Sequence, residues 1–378
     1  MITRKWSRLA VAVALAICAP AAAQVRYADY VVAEEGWWGG CAVTRSGKLR
    51  CWGEGGPAPI DSDDEVEVEG LTEVVGVSIE AKCALRRNGE AWCWKDGKLE
   101  RVGGLPRPVV QIDQTCVVDD RGHVYDLRAG RPRRIEAFSH VARVACPDPQ
   151  EGAHTCAVTT SGTVRCIGAN DEGQLGRSPE ASTPADVPGI QDAVSVAVTS
   201  TNTCALLRSG KVACWGSDED GQNGDGEDQA PPGKITFVRG LTDAVALFGE
   251  RWGATYCAVR RGGEVACWGR TLSLVVPEEK DFVESPKTIP ALRDVSYVTF
   301  GAHRTCFVTK GRIQCLGSII RRRPTQVLQM RLPPKVAACA AWAGTSTARS
   351  ASPVRNRSSM SSSRSPACEA WPRSPPPA

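Results

Sequence analysis

The chain has 378 residues, 42% hydrophobic and 23% charged, which is the composition of a globular protein of one large domain or two ordinary ones. Its 37 glycines and 25 prolines make turn formers frequent, and a helix bundle is excluded on that ground. The formal net charge of +4 conceals a split: +3 before residue 24, −8 over 24–318 and +9 over 319–378. An acidic body lacks the clustered positive charge that nucleic-acid binding requires.

Arg4, Lys5 and Arg8 precede an apolar run, Leu9 to Ala19, followed by Pro20 and Ala21, Ala22 and Ala23. A basic start, a short apolar stretch and a small-residue ending describe a secretory signal peptide over 1–23. The run is too short to span a bilayer well, and nothing else in the sequence is long and apolar enough. Cys18 is a poor lipoprotein attachment site because bulky Ile17 precedes it. The expected location is secreted, periplasmic or at the cell surface, where disulfides persist.

Seventeen cysteines dominate the rest. Five pairs lie ten residues apart: Cys41 and Cys51, Cys83 and Cys93, Cys156 and Cys166, Cys204 and Cys214, Cys257 and Cys267. Cys306 and Cys315 lie nine apart, and a further copy begins at Cys116 but carries Asp126 in place of its second cysteine. Phrases such as CAVTRSGKLRCWG and CALLRSGKVACWG alternate apolar and polar around a glycine turn, the signature of a β-hairpin. With Arg45-Ser46-Gly47 as the loop, Thr44 faces Lys48 in a hydrogen-bonded closing pair, and three steps out Cys41 faces Cys51. Pair types alternate along an antiparallel ladder, so the cysteines occupy a non-hydrogen-bonded pair, close enough for a cross-strand disulfide. In the nine-residue copy a Lys310-Gly311 loop makes Thr309 face Arg312 and restores Cys306 opposite Cys315. Structural zinc sites favour two to four residues between ligands, and no CxxC occurs.

The stretches GAHTCAVTTSGTVRCIGANDEGQLG (Gly152–Gly176) and NTCALLRSGKVACWGSDEDGQNG (Asn202–Gly224) resemble repeats of the regulator of chromosome condensation family. The lead-in phrases VEGLTEVVGVSIE and VRGLTDAVALFGE match it too, and the resemblance runs from about Trp37 to Gly317. It implies an all-β fold, a β-propeller with one four-stranded antiparallel blade per repeat. Seven units, with first cysteines at 41, 83, 116, 156, 204, 257 and 306, give seven blades over residues 24–330. Units one, two, three, six and seven lack the Gly-Gln-Leu-Gly tail, so their loops are individual. Trp52, Trp94, Trp215 and Trp268, each beside a cysteine, are expected to point to the opposite sheet face and pack between blades. Val25–Glu35 is a candidate extra strand for the last blade, and the leftover Cys116 and Cys146 a candidate pair. The pairing of Cys339 and Cys368 stays open.

Residues 331–378 are mostly Ala, Ser, Pro and Arg, too poor in apolar surface to fold. They read as a disordered tail. The composition equally matches out-of-frame translation of a GC-rich gene, in which case a further repeat was lost.

Catalytic motifs are absent: no HExxH, nucleophile elbow, phosphate loop or dinucleotide glycines occur. His154 and His303 read as packing or turn residues, and His123 and His140 lack a partner motif. The acidic stretch Asp218–Asp228 has Asn223 where a calcium loop needs glycine, so no metal or other cofactor is expected. Trp37, Trp38, Arg251, Trp252 and Tyr256 precede hairpins on one rim, and their types are those enriched at binding hot spots. The expectation is therefore a monomeric, non-catalytic, exported scaffold that binds another protein through rim loops. Alternatives are an enzyme inhibitor similar to the secreted β-lactamase inhibitor built of this repeat, and the guanine-nucleotide exchange the family name suggests. A lyase-type enzyme on a propeller is a weaker one.

Overall fold

The computed structural model describes residues 30–317, except 37–38, 54–55, 57–64, 96, 106–107, 129–130, 147–153, 182, 228–229, 252, 271–281 and 302–303. The signal segment and the tail fall outside the described residues.

Seven sheets follow one another in the chain. Blade 1 is β1 (Tyr30–Glu35), β2 (Gly39–Thr44), β3 (Leu49–Gly53) and β4 (Val66–Glu67). Blade 2 is β5 (Val74–Ser78), β6 (Cys83–Arg86), β7 (Ala91–Lys95) and β8 (Lys98–Arg101), and blade 3 is β9 (Val109–Asp113), β10 (Cys116–Asp119), β11 (Val124–Asp126) and β12 (Arg133–Arg134). Blade 4 is β13 (Val141–Ala145), β14 (His154–Thr159), β15 (Val164–Gly168) and β16 (Ala185–Asp186), and blade 5 is β17 (Ala193–Val198), β18 (Asn202–Leu207), β19 (Val212–Gly216) and β20 (Thr236–Phe237). Blade 6 is β21 (Ala244–Gly249), β22 (Thr255–Arg260), β23 (Val265–Gly269) and β24 (Val283–Thr288), and blade 7 is β25 (Val295–Phe300), β26 (Arg304–Thr309) and β27 (Arg312–Gly317). Strands pair antiparallel in sequence order within each sheet. The first strands of successive blades touch, and β1 touches β25, so the ring closes around a channel lined by first strands. The fold is the seven-bladed propeller expected.

The hairpins take the register the cysteine spacing demands. Thr44 donates its N–H to the Lys48 carbonyl at 2.9 Å, and Cys41 faces Cys51. Thr309 faces Arg312 and Cys306 faces Cys315. Six hairpin disulfides span Cα separations of 3.9–4.2 Å, the close approach of a non-hydrogen-bonded pair. Cys116 pairs with Cys146 over 6.1 Å, and this bond joins β10 of blade 3 to the residue after β13 of blade 4. The leftover pair is therefore a bridge between blades. Asp126 does face Cys116, and its carboxylate pairs with Arg128.

Turn glycines also build the joints. The Gly210 carbonyl accepts the Ala244 N–H at 3.0 Å, linking the hairpin tip of blade 5 to the first strand of blade 6. The same bond recurs from Gly47, Gly89, Gly122, Gly162 and Gly263 to the next blade. At Gly210 the φ of +85° is in the left-handed region, and a Cβ would lie 2.7 Å from the Thr242 carbonyl, so glycine is required.

Apolar residues fill the spaces between blades. Trp94, Trp215 and Trp268 are buried, and each packs on the blade before it. Trp215 donates its indole N–H to the Gln174 carbonyl at 3.0 Å, and Trp268 to that of Gln222 at 2.9 Å. The Gly-Gln-x-Gly tail of one blade is therefore the hydrogen-bond acceptor for the tryptophan of the next.

Closure differs from the guess for Val25–Glu35. Within the described residues, Tyr30–Glu35 is the first strand of blade 1, paired with β2, and is not an addition to blade 7. Blades 1 and 7 join by side chains. Glu35 pairs with Arg304 at 2.8–2.9 Å and its N–H donates to Thr299 Oγ1 at 3.1 Å. Beside them Ala33, Ala42, Trp52, Tyr297, Val308 and Ile313 form an apolar seam.

Candidate functional site

Inner strands of a propeller are sheet edges, and their free backbone groups must be satisfied or hydrated. Here polar side chains at the ends of β1 and β9 reach to the neighbouring blade and do this. Gln111 donates to the Val144 carbonyl at 2.8 Å and accepts the Val144 N–H at 3.1 Å. Asp113 Oδ2 accepts the Cys146 N–H at 2.8 Å, and Glu34 Oε2 accepts the Ile79 N–H at 2.5 Å. Each carboxylate thereby locks one blade to the next.

The same carboxylates face a channel cavity of about 190 Å³, lined also by Arg143, Phe248, Tyr297 and Phe300. Arg251, just past β21 of blade 6, crosses the channel to blade 3. Its guanidinium pairs with both Asp113 oxygens, at 2.5 and 3.3 Å, and donates to the Cys146 carbonyl at 2.7 Å. This clamp spans the end of the channel at which the first strands finish. Glu34 lies beside it, with Gln114 Nε2 at 3.3 Å. Burial pushes the Glu34 carboxyl up to about 7, against the pull of Arg251 and the Ile79 N–H. Burial likewise raises Glu35 to about 7 in spite of Arg304.

Of the rim residues singled out in the sequence, Trp37 and Trp38 fall in the β1–β2 connection and Trp252 in the β21–β22 connection. All three lie outside the described residues. Arg251 belongs to that rim, but its charge is committed to Asp113 and its side chain is only 24% exposed. Tyr256 is fully buried, stacked at 5.8 Å on Trp268 with its hydroxyl 3.4 Å from Thr199 Oγ1. It is a packing residue, because β22 turns it into the gap between blades 5 and 6. Glu34, Gln111 and Asp113 were not singled out, although YVVAEEG and VVQIDQT interrupt apolar strands with acids and amides, which is a legible signal.

His154 is buried, its Nε2 2.7 Å from Thr203 Oγ1. Thr203 donates to the Gln174 carbonyl at 2.9 Å, so its oxygen accepts from a neutral, Nε2-protonated His154. Burial lowers the His154 pKa to about 3. His303 lies outside the described residues, and His123 binds Asp119 at 3.0 Å. In the acidic stretch, Asp218 accepts the Asn223 N–H, Gln222 accepts the Asp220 N–H and Asp220 pairs with Arg270. These side chains serve the turn and do not converge. Among the described residues the single cluster of ligand-type atoms is Glu35 with Cys306 and Cys315, whose sulfurs are already bonded to each other.

The family profile described as regulator of chromosome condensation (RCC1) repeat matches residues 152–174 and 193–222. No curated protein sequence matches the chain. Among solved structures, Prp20p from Saccharomyces cerevisiae superposes with a TM-score of 0.58 at 16% identity, over 76% of this chain and 82% of that one. Human WBSCR16 gives 0.51 at 18% identity, over 76% and 77%. PorZ from Porphyromonas gingivalis gives 0.51 at 13% identity, over 80% of this chain and 39% of that one. The repeat type recognised in the sequence is the one whose family model matches residues 152–174 and 193–222, and at such identities the structural likeness speaks for the fold alone.

Proposed function

We propose that this propeller, built of regulator of chromosome condensation repeats, is an exported, monomeric, non-catalytic scaffold that binds another protein. The binding rim is the one at which the inner strands end, carrying Arg251 and the loops that contain Trp37, Trp38 and Trp252. The observation that carries the reading is the Arg251 clamp. It ties blade 6 to blades 3 and 4 at the end where the inner strands finish, and a preorganised rim lowers the entropic cost of binding. The clamp commits the strongest charges of the channel end to each other, and this supports a structural use over an acid–base one. Seven disulfides favour an oxidising compartment, which supports export. Prp20p, of the same fold, is a protein whose binding to Gsp1p and histones has been characterised, and PorZ is a bacterial surface component of a secretion system.

A photo-crosslinking residue placed at 38 or 252 in the exporting organism tests this. Covalent adducts with one protein of the envelope or medium are expected. Adducts absent from both positions overturn the assignment of the rim. An inhibitor of a secreted enzyme would appear as that enzyme in the adduct.

A further inference from the structure

The opposite mouth of the channel has its own architecture. In every blade the register between first and second strand shifts at the same place, two residues into the first strand. A β-bulge there turns the extra residue out of the ladder. The bulged residues of blades 2 to 7 are Val75, Val110, Ala142, Val194, Val245 and Ser296. Val75, Val110 and Val245 are 38%, 51% and 54% exposed, and they are three of the five exposed large hydrophobic residues among the described ones. Val194 packs on the core between blades 5 and 6, so the exposed valines of this position stand in blades 2, 3 and 6. Exposed apolar side chains at one structural position mark an interaction surface.

A charge sits within this ring. Arg143 follows the bulge at Ala142, lines the cavity and is exposed. Its guanidinium donates to the Ala142 carbonyl at 3.3 Å, and it has no ion pair among the described residues. The acids of the cavity lie at the far end, where Asp113 pairs with Arg251, Glu35 pairs with Arg304, and Glu34 accepts from the Ile79 N–H and Gln114. Outside the ring the border carries both signs: the hairpin tips place exposed Arg87, Arg208 and Arg261 on this face, and their backbone N–H groups donate to the carbonyls of Glu73, Asp192 and Asp243, which stand beside them. Exposed valines around Arg143, a cation without an ion pair among the described residues, are complementary to a carboxylate carried on apolar flanks.

We propose that this second mouth is a docking site for a partner polypeptide segment bearing an aspartate or glutamate flanked by apolar side chains. The carboxylate pairs with Arg143, and the flanking side chains cover the valines. Because the Arg251 clamp spans the other end, the segment enters from this side alone. The site is independent of the rim loops above.

Selection of random linear peptides displayed on phage against the intact, disulfide-bonded protein is the test. Selected peptides are expected to share an acid between apolar residues. Replacing that acid by its amide is expected to weaken binding at least tenfold. Arg143→Ala should erase the difference between acid and amide peptides, and Arg143→Lys should restore part of it. Val110→Asp with Val245→Asp, both exposed positions, should abolish binding while the circular-dichroism spectrum stays unchanged. The proposal is overturned if no acid–apolar consensus emerges, or if the acid preference survives Arg143→Ala. It is also overturned if the protein selects no peptide but sediments with anionic phospholipid vesicles through the same valines.

Discussion

Gly224 stands against the ring of Trp268: a Cβ there would approach Cδ1 to 2.7 Å, and the residue has φ of +63°. Gly240 has φ of +69° but nothing within 4 Å of a Cβ. Gly240→Ala should therefore cost only the backbone strain, about 1 kcal/mol. Gly224→Ala adds overpacking of about 1–3 kcal/mol and should loosen the joint between blades 5 and 6. Denaturation midpoints of the two variants give the comparison, and equal losses would contradict the packing role of the Gly-Gln-x-Gly tail. Titration supplies a second residue-scale prediction. Glu34 and Glu35 are raised from 4.5 to about 7, so the folded state holds their protons more tightly. Their contribution is full below pH 4.5 and is lost as pH rises through 7. His154 is lowered from 6.5 to about 3, so its contribution is full above 6.5 and is lost on acidification toward 3. From pH 7 down to 4.5 the two glutamates outweigh the one histidine, and stability should rise. Below 4.5 His154 acts alone among these three and should lower it. Thermal midpoints against pH should show this maximum, with Glu35→Gln flattening its alkaline side.

Among the elements, the hairpins are closed by short covalent loops and the joint between blades 3 and 4 by a longer one. In the chain-entropy view a loop of about eleven residues contributes about 3 kcal/mol, and one of about thirty contributes close to 4 kcal/mol. Replacing Cys116 and Cys146 by serine should thus destabilise the protein more than replacing Cys204 and Cys214. It should also release the Cys146 backbone that Asp113 and Arg251 hold. Urea midpoints of the paired variants check the order, and non-reducing peptide mapping should recover the seven bonds. The hairpin bridges were legible in the sequence because spacing and turn length fix a register by local geometry. The Cys116–Cys146 bridge was visible only as two leftovers, because it depends on how adjacent sheets pack.

For the molecule as a whole, ring closure rests on side chains where blades 1 and 7 meet. Removing one partner of a buried ion pair leaves the other charge uncompensated, at about 3–5 kcal/mol. Arg304→Ala should approach that loss at pH 8, where Glu35 is ionised. At pH 5.5 the loss should be smaller, since Glu35 can take a proton. Calorimetry at both pH values decides, and a loss independent of pH would remove Glu35 from the closure. The candidate site shows the same division between local and distant information. Arg251 drew attention as a residue type on a rim, yet its partner Asp113 is 138 positions away in the chain.

The propeller and its seven blades were implied by the resemblance of the repeats; by itself the sequence determined the hairpin strands, their turns and their disulfides. Those follow from alternation, glycine placement and cysteine spacing within a dozen residues, where chain geometry leaves one register. Only the tertiary structure decided that Tyr256 is buried, that Arg251 crosses the channel and that seven bulges form one ring. These depend on which residues the circular packing of blades brings together, and no local pattern encodes a contact across a closed ring.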